Sequence, residues 1–203
     1  AYRIMHAILA TAVEDDLIPR NPCRIKGAGS DPHTERPFVP AEVVLALDWT
    51  DYDADDQSTL VLSVVTSHGR STPLLWKRVR KSQLKKRRNA IEDALLLRLR
   101  QVIPESVRVT IMCDRGFADQ KLYEYLKSEL GFDYIVRFRS GITVTDASGQ
   151  SRPAKQWVPS TPRALMLRGA RVTEDAYPVG AVVLLYDRDM KEAWLVCADD
   201  DGH

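Results

Sequence analysis

The stretch Val107-Arg-Val-Thr-Ile-Met-Cys-Asp-Arg-Gly-Phe117 constrains the fold more than any other part of the chain. Val107, Val109 and Ile111 alternate with Arg108 and Thr110, and Met112 and Cys113 follow, which is the pattern of a strand that becomes fully buried towards its end. Asp114 then stands at the carboxyl end of that strand. Gly116 is expected to let the backbone turn tightly, and a helical pattern opens near Ala118. A carboxylate in this position can meet a second one from a neighbouring strand, and the chain offers a candidate.

Residues 2 to 18 place Ile4, Met5, Ile8, Leu9, Ala12 and Val13 on one helical face, ended by Pro19 and Pro22. The segment that follows, to Pro40, is rich in proline and glycine and reads as an extended linker. From Val43 the pattern changes. Val43 to Trp49 is a nearly continuous apolar run carrying Asp48 and suits a central strand; Asp51 to Asp56 suits a turn; Leu60 to Val65 and Thr72 to Val79 suit two further strands. A long helix is predicted next, with Leu84, Ile91, Leu95, Leu99 and Val102 on one face and a break at Pro104. After the motif strand come a helix carrying Leu122, Leu126 and Leu130 and a strand from Tyr134 to Phe138.

Three strands, helix, strand, helix, strand is the order of an RNase H-like α/β domain, a mixed sheet flanked by helices. In that topology the first and fourth strands are neighbours, so Asp48 and Asp114 meet at the carboxyl edge. Two carboxylates that close repel unless a cation neutralises them. Oxygen-only ligands favour Mg2+ (or Mn2+), which bind through few carboxylates and keep positions for water and phosphate oxygens. The implied chemistry is metal-assisted phosphoryl transfer, with Asp48 and Asp114 as catalytic residues and metal ligands.

Composition limits the alternatives. With 203 residues, 44% of them hydrophobic and 28% charged, the chain can bury a substantial core and is neither disordered nor membrane-spanning. A net charge of +1 says nothing about a nucleic-acid partner, so only local clustering counts. Cys23, Cys113 and Cys197 are odd in number and lack metal-ligand spacing, which points to free thiols in a reducing cytoplasm. The chain opens inside a helical pattern and stops soon after a strand, and so reads as a piece of something longer.

Four blocks carry a family resemblance: Leu45-Ala-Leu-Asp-Trp-Thr50, His68-Gly-Arg-Ser-Thr-Pro-Leu-Leu-Trp76, Cys113-Asp-Arg-Gly-Phe117 and Phe132-Asp-Tyr-Ile-Val-Arg-Phe-Arg139. In this order and spacing they resemble DDE transposases of bacterial insertion sequences, in the insertion-sequence-four family, from about Val44 to Asp199. The resemblance implies that Asp48 and Asp114 are the first two acids of the catalytic triad. The third, a glutamate on a later helix, is expected beyond the end of this chain. It also implies DNA partners at transposon ends and target, a homodimer in the synaptic complex, no membrane association, and a bacterial cytoplasmic, nucleoid-associated location when DNA is bound. Residues 1 to 43 resemble instead the core-binding segment of tyrosine recombinases, although His68-Gly69-Arg70 lacks the spacing their chemistry needs. The change near Val43 reads as a fused reading frame.

The expected organisation is a helical remnant over 1–20, a linker over 21–42, an RNase H-like core over 43–140 and a β-rich insertion over 141–203. Within the insertion, strands are expected at Ile142–Val144, Ala164–Leu167, Val179–Leu185 and Ala193–Val196. Trp194 matches the tryptophan on which related enzymes stack a flipped base.

Lys77 to Arg88 holds eight basic residues in twelve: Lys77, Arg78, Arg80, Lys81, Lys85, Lys86, Arg87 and Arg88. Read as helix, both faces are crowded with like charge, which favours DNA-phosphate contact over a merely solvated face. Arg137 and Arg139 flank Phe138 and suit either phosphate contact or carboxylate pairing, and Arg115 suits a phosphate or a simple salt bridge. Trp49 and Trp76 read as core or hinge packing, His68 as a turn residue, Cys113 as buried filler, and Asp51, Asp53, Asp55 and Asp56 as a solvated turn without the offsets of a calcium loop. Two other functions remain open: a catalytically inactive DNA-binding or dimerising fragment, and a tyrosine recombinase.

Overall fold

The computed structural model describes residues 9–16, 18–23, 42–66 and 71–199. Two compact units divide the chain, residues 1–39 and 40–203. In the first, residues 9–14 are helical. The rest of the expected helix face, most of the linker and the His68-Gly69-Arg70 turn lie outside the described residues.

The second unit is built on an eight-stranded mixed sheet. Its strands are β1 (Glu42–Tyr52), β2 (Gln57–Val65), β3 (Ser71–Arg80), β4 (Arg108–Cys113), β5 (Asp133–Arg137), β8 (Leu165–Arg168), β11 (Ala181–Leu185) and β12 (Trp194–Ala198), in the order β3-β2-β1-β4-β5-β12-β11-β8. β4 lies parallel to both β1 and β5, and the other neighbours are antiparallel. β6 (Thr143–Thr145), β7 (Ser151–Pro153), β9 (Arg171–Val172) and β10 (Tyr177–Pro178) form a separate four-stranded sheet. Three strands from the region after residue 140 thus extend the core sheet itself.

The period-2 alternation of a strand sorts the sheet into two faces. One cross-sheet row runs Leu62, Leu47, Cys113, Val136, Cys197, Val182, and every member is buried. This face packs in one apolar cluster with helix α1 (Arg88–Val102), through Leu95, Leu96 and Leu99, and with helix α2 (Gln120–Glu124) and the wider π-type turn Tyr125–Glu129 that continues it, through Leu122, Tyr123 and Leu126. Each fully buried leucine contributes about 1.5–3 kcal/mol. α1 ends where Ile103 turns extended ahead of Pro104, whose ring disfavours helical geometry in the residue before it.

The adjacent row, on the opposite face, runs Trp76, Val61, Asp48, then past the end of β4 to Arg137, Val196, Val183 and Met166. Trp76 is 64% exposed and Met166 47%, so this face is open among the described residues. Trp76 is therefore not core, in contrast to Trp49, which is half-buried against the helix-covered face.

The basic run is not helical. Lys77, Arg78 and Arg80 lie in β3, Lys81 opens a short 3-10 turn, Lys85–Arg87 form a turn with Lys86 at φ 63°, and only Arg88 enters α1. Alternating basic side chains are tolerated along a strand, whereas a helix would bring them together at spacings of three and four.

Candidate active site

The two aspartates are brought together by strand register. Leu47 pairs with Cys113 in the parallel β1–β4 ladder, so Asp48, which continues in β1, and Asp114, which follows the end of β4, are the next residues on adjacent strands, and such strands lie roughly 4.8 Å apart. Both are exposed. Among the described residues neither has a lysine or arginine partner within ion-pair distance.

The local sequence fixes Asp114. Its Oδ1 accepts a hydrogen bond from the Gly116 N–H at 2.7 Å and caps the short turn Arg115–Phe117, while Phe117 is buried beneath it. A Cβ at position 116 would lie 2.9 Å from that oxygen. Gly116 is therefore needed for close approach of the carboxylate. It does not appear among the residues with positive φ, so backbone freedom is not its role.

Behind the edge sits Glu92 on α1, 7% exposed, accepting from Trp49 Nε1 at 2.7 Å and paired with Arg88 at 3.3 Å. Burial pushes its carboxyl above the ordinary range, opposed by the Trp49 hydrogen bond and the Arg88 charge. The Arg88 guanidinium also lies 5.1 Å from the Trp49 ring centroid. Cys113 is buried, and burial, reinforced by the charges of Glu92, Asp114 and Asp48, drives its thiol far above the ordinary range and keeps it neutral. Asp51 is tied to Ser58 and Lys81, and Asp53 to Lys81, so these acids belong to an ion-paired turn.

Beside Asp114 opens a cleft of about 520 Å3 lined in part by Arg115, Arg137, Arg139, Lys155 and Glu192. β12 runs antiparallel to β5, with Val196 opposite Arg137, and this returns the segment before Trp194 to the edge where β4 and β5 end. Glu192 there accepts from Arg115 Nη1 at 2.8 and 3.0 Å and from Arg137 Nη2 at 3.2 Å. The Arg137 guanidinium lies 4.8 Å from the ring centroid of Trp194, itself 50% exposed. Lys155 is carried in by a turn whose N–H donates to Ser140 O at 3.0 Å.

Of the sequence-predicted residues, Arg115, Arg137, Arg139 and Trp194 therefore gather next to Asp114, and Lys77–Arg88 does not join them. Lys77, Arg78, Arg80, Lys85, Lys86 and Arg87 are exposed, with Arg78 Nε donating to Gln57 at 3.1 Å. Glu92, Lys155 and Glu192 were not signalled by the sequence. Lys191-Glu-Ala-Trp-Leu195 holds an acid two residues before the tryptophan, and that spacing is the only local hint of Glu192.

The donor set offered by Asp48 and Asp114 is two carboxylates with oxygen atoms alone, which fits Mg2+ or Mn2+ in its usual shell shared with water and phosphate. Among the described residues no group of three or more His, Cys, Asp or Glu side chains is placed to hold a metal. Nor is any helix there long and apolar enough to cross a membrane.

Residues 40–188 match the family model described as a transposase DDE domain. No curated protein matches the chain. Among solved structures, Marinitoga piezophila Argonaute in complex with 5′ OH guide RNA aligns at 9% identity and TM-score 0.29, and the same Argonaute with guide RNA and target DNA at 11% and 0.28. Each alignment covers 81% of this chain and 24% of the Argonaute chain, so this chain spans about a quarter of their length.

Proposed function

The chain belongs to the transposase DDE-domain family, and from that membership we propose that it is the catalytic core of an insertion-sequence-four-type transposase, cleaving and rejoining DNA strands at transposon ends. The observation that carries this reading is the parallel β1–β4 pairing, which sets Asp48 beside Asp114 at one sheet edge.

Asp48 and Asp114 would hold Mg2+ or Mn2+ through their carboxylate oxygens. When bound, such an ion supplies charge stabilisation at the phosphodiester oxygens and activates a water or a 3′-hydroxyl. The Gly116 N–H keeps the Asp114 carboxylate turned to the edge. Arg115, Arg137, Arg139 and Lys155 attract the DNA backbone into the cleft, and Trp194 offers an exposed aromatic face to an unpaired base. A homodimer holding two DNA ends is part of the same proposal.

A second reading, a DNA-binding chain without cleavage activity, is favoured by one observation: among the described residues no group of three or more His, Cys, Asp or Glu side chains is placed to hold a metal. One set of measurements separates the two. Mn2+ binding, followed by electron paramagnetic resonance, is expected for the chain and is expected to be lost in Asp48→Asn and Asp114→Asn. Nicking of supercoiled plasmid is expected to need Mn2+ and to vanish in the same variants. Mn2+ and DNA binding without nicking assigns the second reading. Metal-independent nicking through a covalent protein–DNA bond would overturn both in favour of a tyrosine recombinase.

A further inference from the structure

One of the side chains lining the basic cleft is an acid of the protein itself. Glu192 presents both carboxylate oxygens to one guanidinium nitrogen of Arg115 and one of them to Arg137. Planar guanidinium groups recognise carboxylates and phosphates through the same two-oxygen geometry, and a phosphodiester carries the same single negative charge as a glutamate. The cleft lining otherwise holds Arg139 and Lys155, so four cations face one carboxylate. That excess leaves the cleft attractive to anions even with Glu192 in place.

The hold on Glu192 is weak. Arg115 and Glu192 are about half exposed and Arg137 29%, and ion pairs this open to water contribute little. Glu192 also lies outside the regular structure, in the connection between β11 and β12, whereas Arg137 closes β5 and Arg115 is fixed by the turn that Asp114 caps. The two arginines therefore stand at a strand end and in a capped turn, and the carboxylate on a loop. Trp194, two residues further along, gives the Arg137 guanidinium a ring contact at 4.8 Å that does not involve the carboxylate.

We propose that Glu192 is an internal phosphodiester mimic: it occupies the Arg115–Arg137 seat in the DNA-free protein and is displaced by a backbone phosphate of the incoming strand. The seat lies directly beside Asp114, so the same displacement places a phosphodiester next to the paired carboxylates. This rests on the reading that Arg115 and Arg137 contact DNA.

The test is fluorescence anisotropy with a short labelled oligonucleotide in chelator, so that cleavage and metal binding do not enter. Glu192→Gln is expected to tighten binding about three- to tenfold and to steepen the dependence of log Kd on log salt, because the two arginines then exchange inorganic anions for DNA. In an Arg115→Ala, Arg137→Ala background the same substitution is expected to change nothing. Hydrogen exchange in residues 187–193 of the wild-type chain is expected to quicken when oligonucleotide is added. If Glu192→Gln leaves affinity unchanged or weakens it while Arg137→Ala weakens it, the mimic is overturned and the DNA seat stands. If Arg115→Ala and Arg137→Ala have no effect either, the reading beneath it falls as well.

Discussion

The Lys77–Arg88 run and the cleft beside Asp114 use the same kind of side chain in opposite ways. The run is continuous in sequence and disperses in space: part lies along an edge strand, Lys81 is bound to Asp51 and Asp53, and Arg88 is bound to Glu92 above the Trp49 ring. Arg115, Arg137, Arg139 and Lys155 are scattered in sequence and converge in one concave site. A concave, partly desolvated surface concentrates field, whereas charges spread over a convex edge are screened within about 10 Å at moderate salt. Density along the chain and density in space are therefore different quantities, and the second governs phosphate binding.

The largest effect expected from this contrast is on charge reversal. Arg115→Glu with Arg137→Glu should weaken oligonucleotide binding by about a hundredfold or more at moderate salt, whereas Lys85→Glu, Lys86→Glu and Arg87→Glu together should cost less than about tenfold. Equal losses of affinity in the double and the triple variant would break the distinction. A smaller and sharper effect concerns single truncations. Arg137→Ala should reduce affinity by about tenfold and lower the salt slope by about one, while Lys85→Ala should leave the slope unchanged.

The smallest effect lies at the end of the run that turns inward. Burial raises the Glu92 carboxyl above its ordinary value near 4.5, so its contribution to stability is complete below that pH and is lost as pH rises through the raised value. Glu92→Gln removes this titration. Thermal melts should therefore show the variant gaining on the wild type between about pH 4.5 and neutrality, and a variant that loses ground to the wild type over that range would contradict the assignment.

Much of the core could be read from the chain because its signals are local. The alternation in Val107–Cys113, the apolar run around Asp48 and the leucine spacing in α1 each specify an element within a few residues, and parallel pairing of β1 with β4 follows from element order. The juxtaposition of Asp48 and Asp114 follows from the same local signals, although only Asp114 stands at a strand end and Asp48 lies inside β1. The extent of β1 was not: it runs on to Tyr52, because Asp51 and Tyr52 stay in register with Ser58 and Gln57 before the turn begins. Glu192 was hidden because its position depends on β12 pairing with β5 across more than fifty residues, a contact no local pattern announces, and Lys155 because it is carried in by the turn bonded to Ser140. Gly116 does stand in a tight turn, and the structure adds the reason a glycine is needed there: a Cβ would collide with Asp114 Oδ1. The exposure of Trp76 was misread because an apolar residue in a strand signals burial only when the face it occupies is covered.

β3 closes one margin of the eight-stranded sheet, and this gives its basic side chains a second consequence. A margin strand has unpaired backbone groups that invite strand addition from another molecule. Pro73 removes one donor, the irregularity opposite Leu62 and Ser63 interrupts the ladder, and Lys77, Arg78 and Arg80 set like charge against like in any edge-to-edge approach of two copies. At the other margin β8 is only four residues long and ends at Gly169, in the left-handed region at φ 59°. Both borders thus discourage fibre-like growth, and the Lys77–Arg80 segment contributes to colloidal solubility whether or not it ever meets a phosphate.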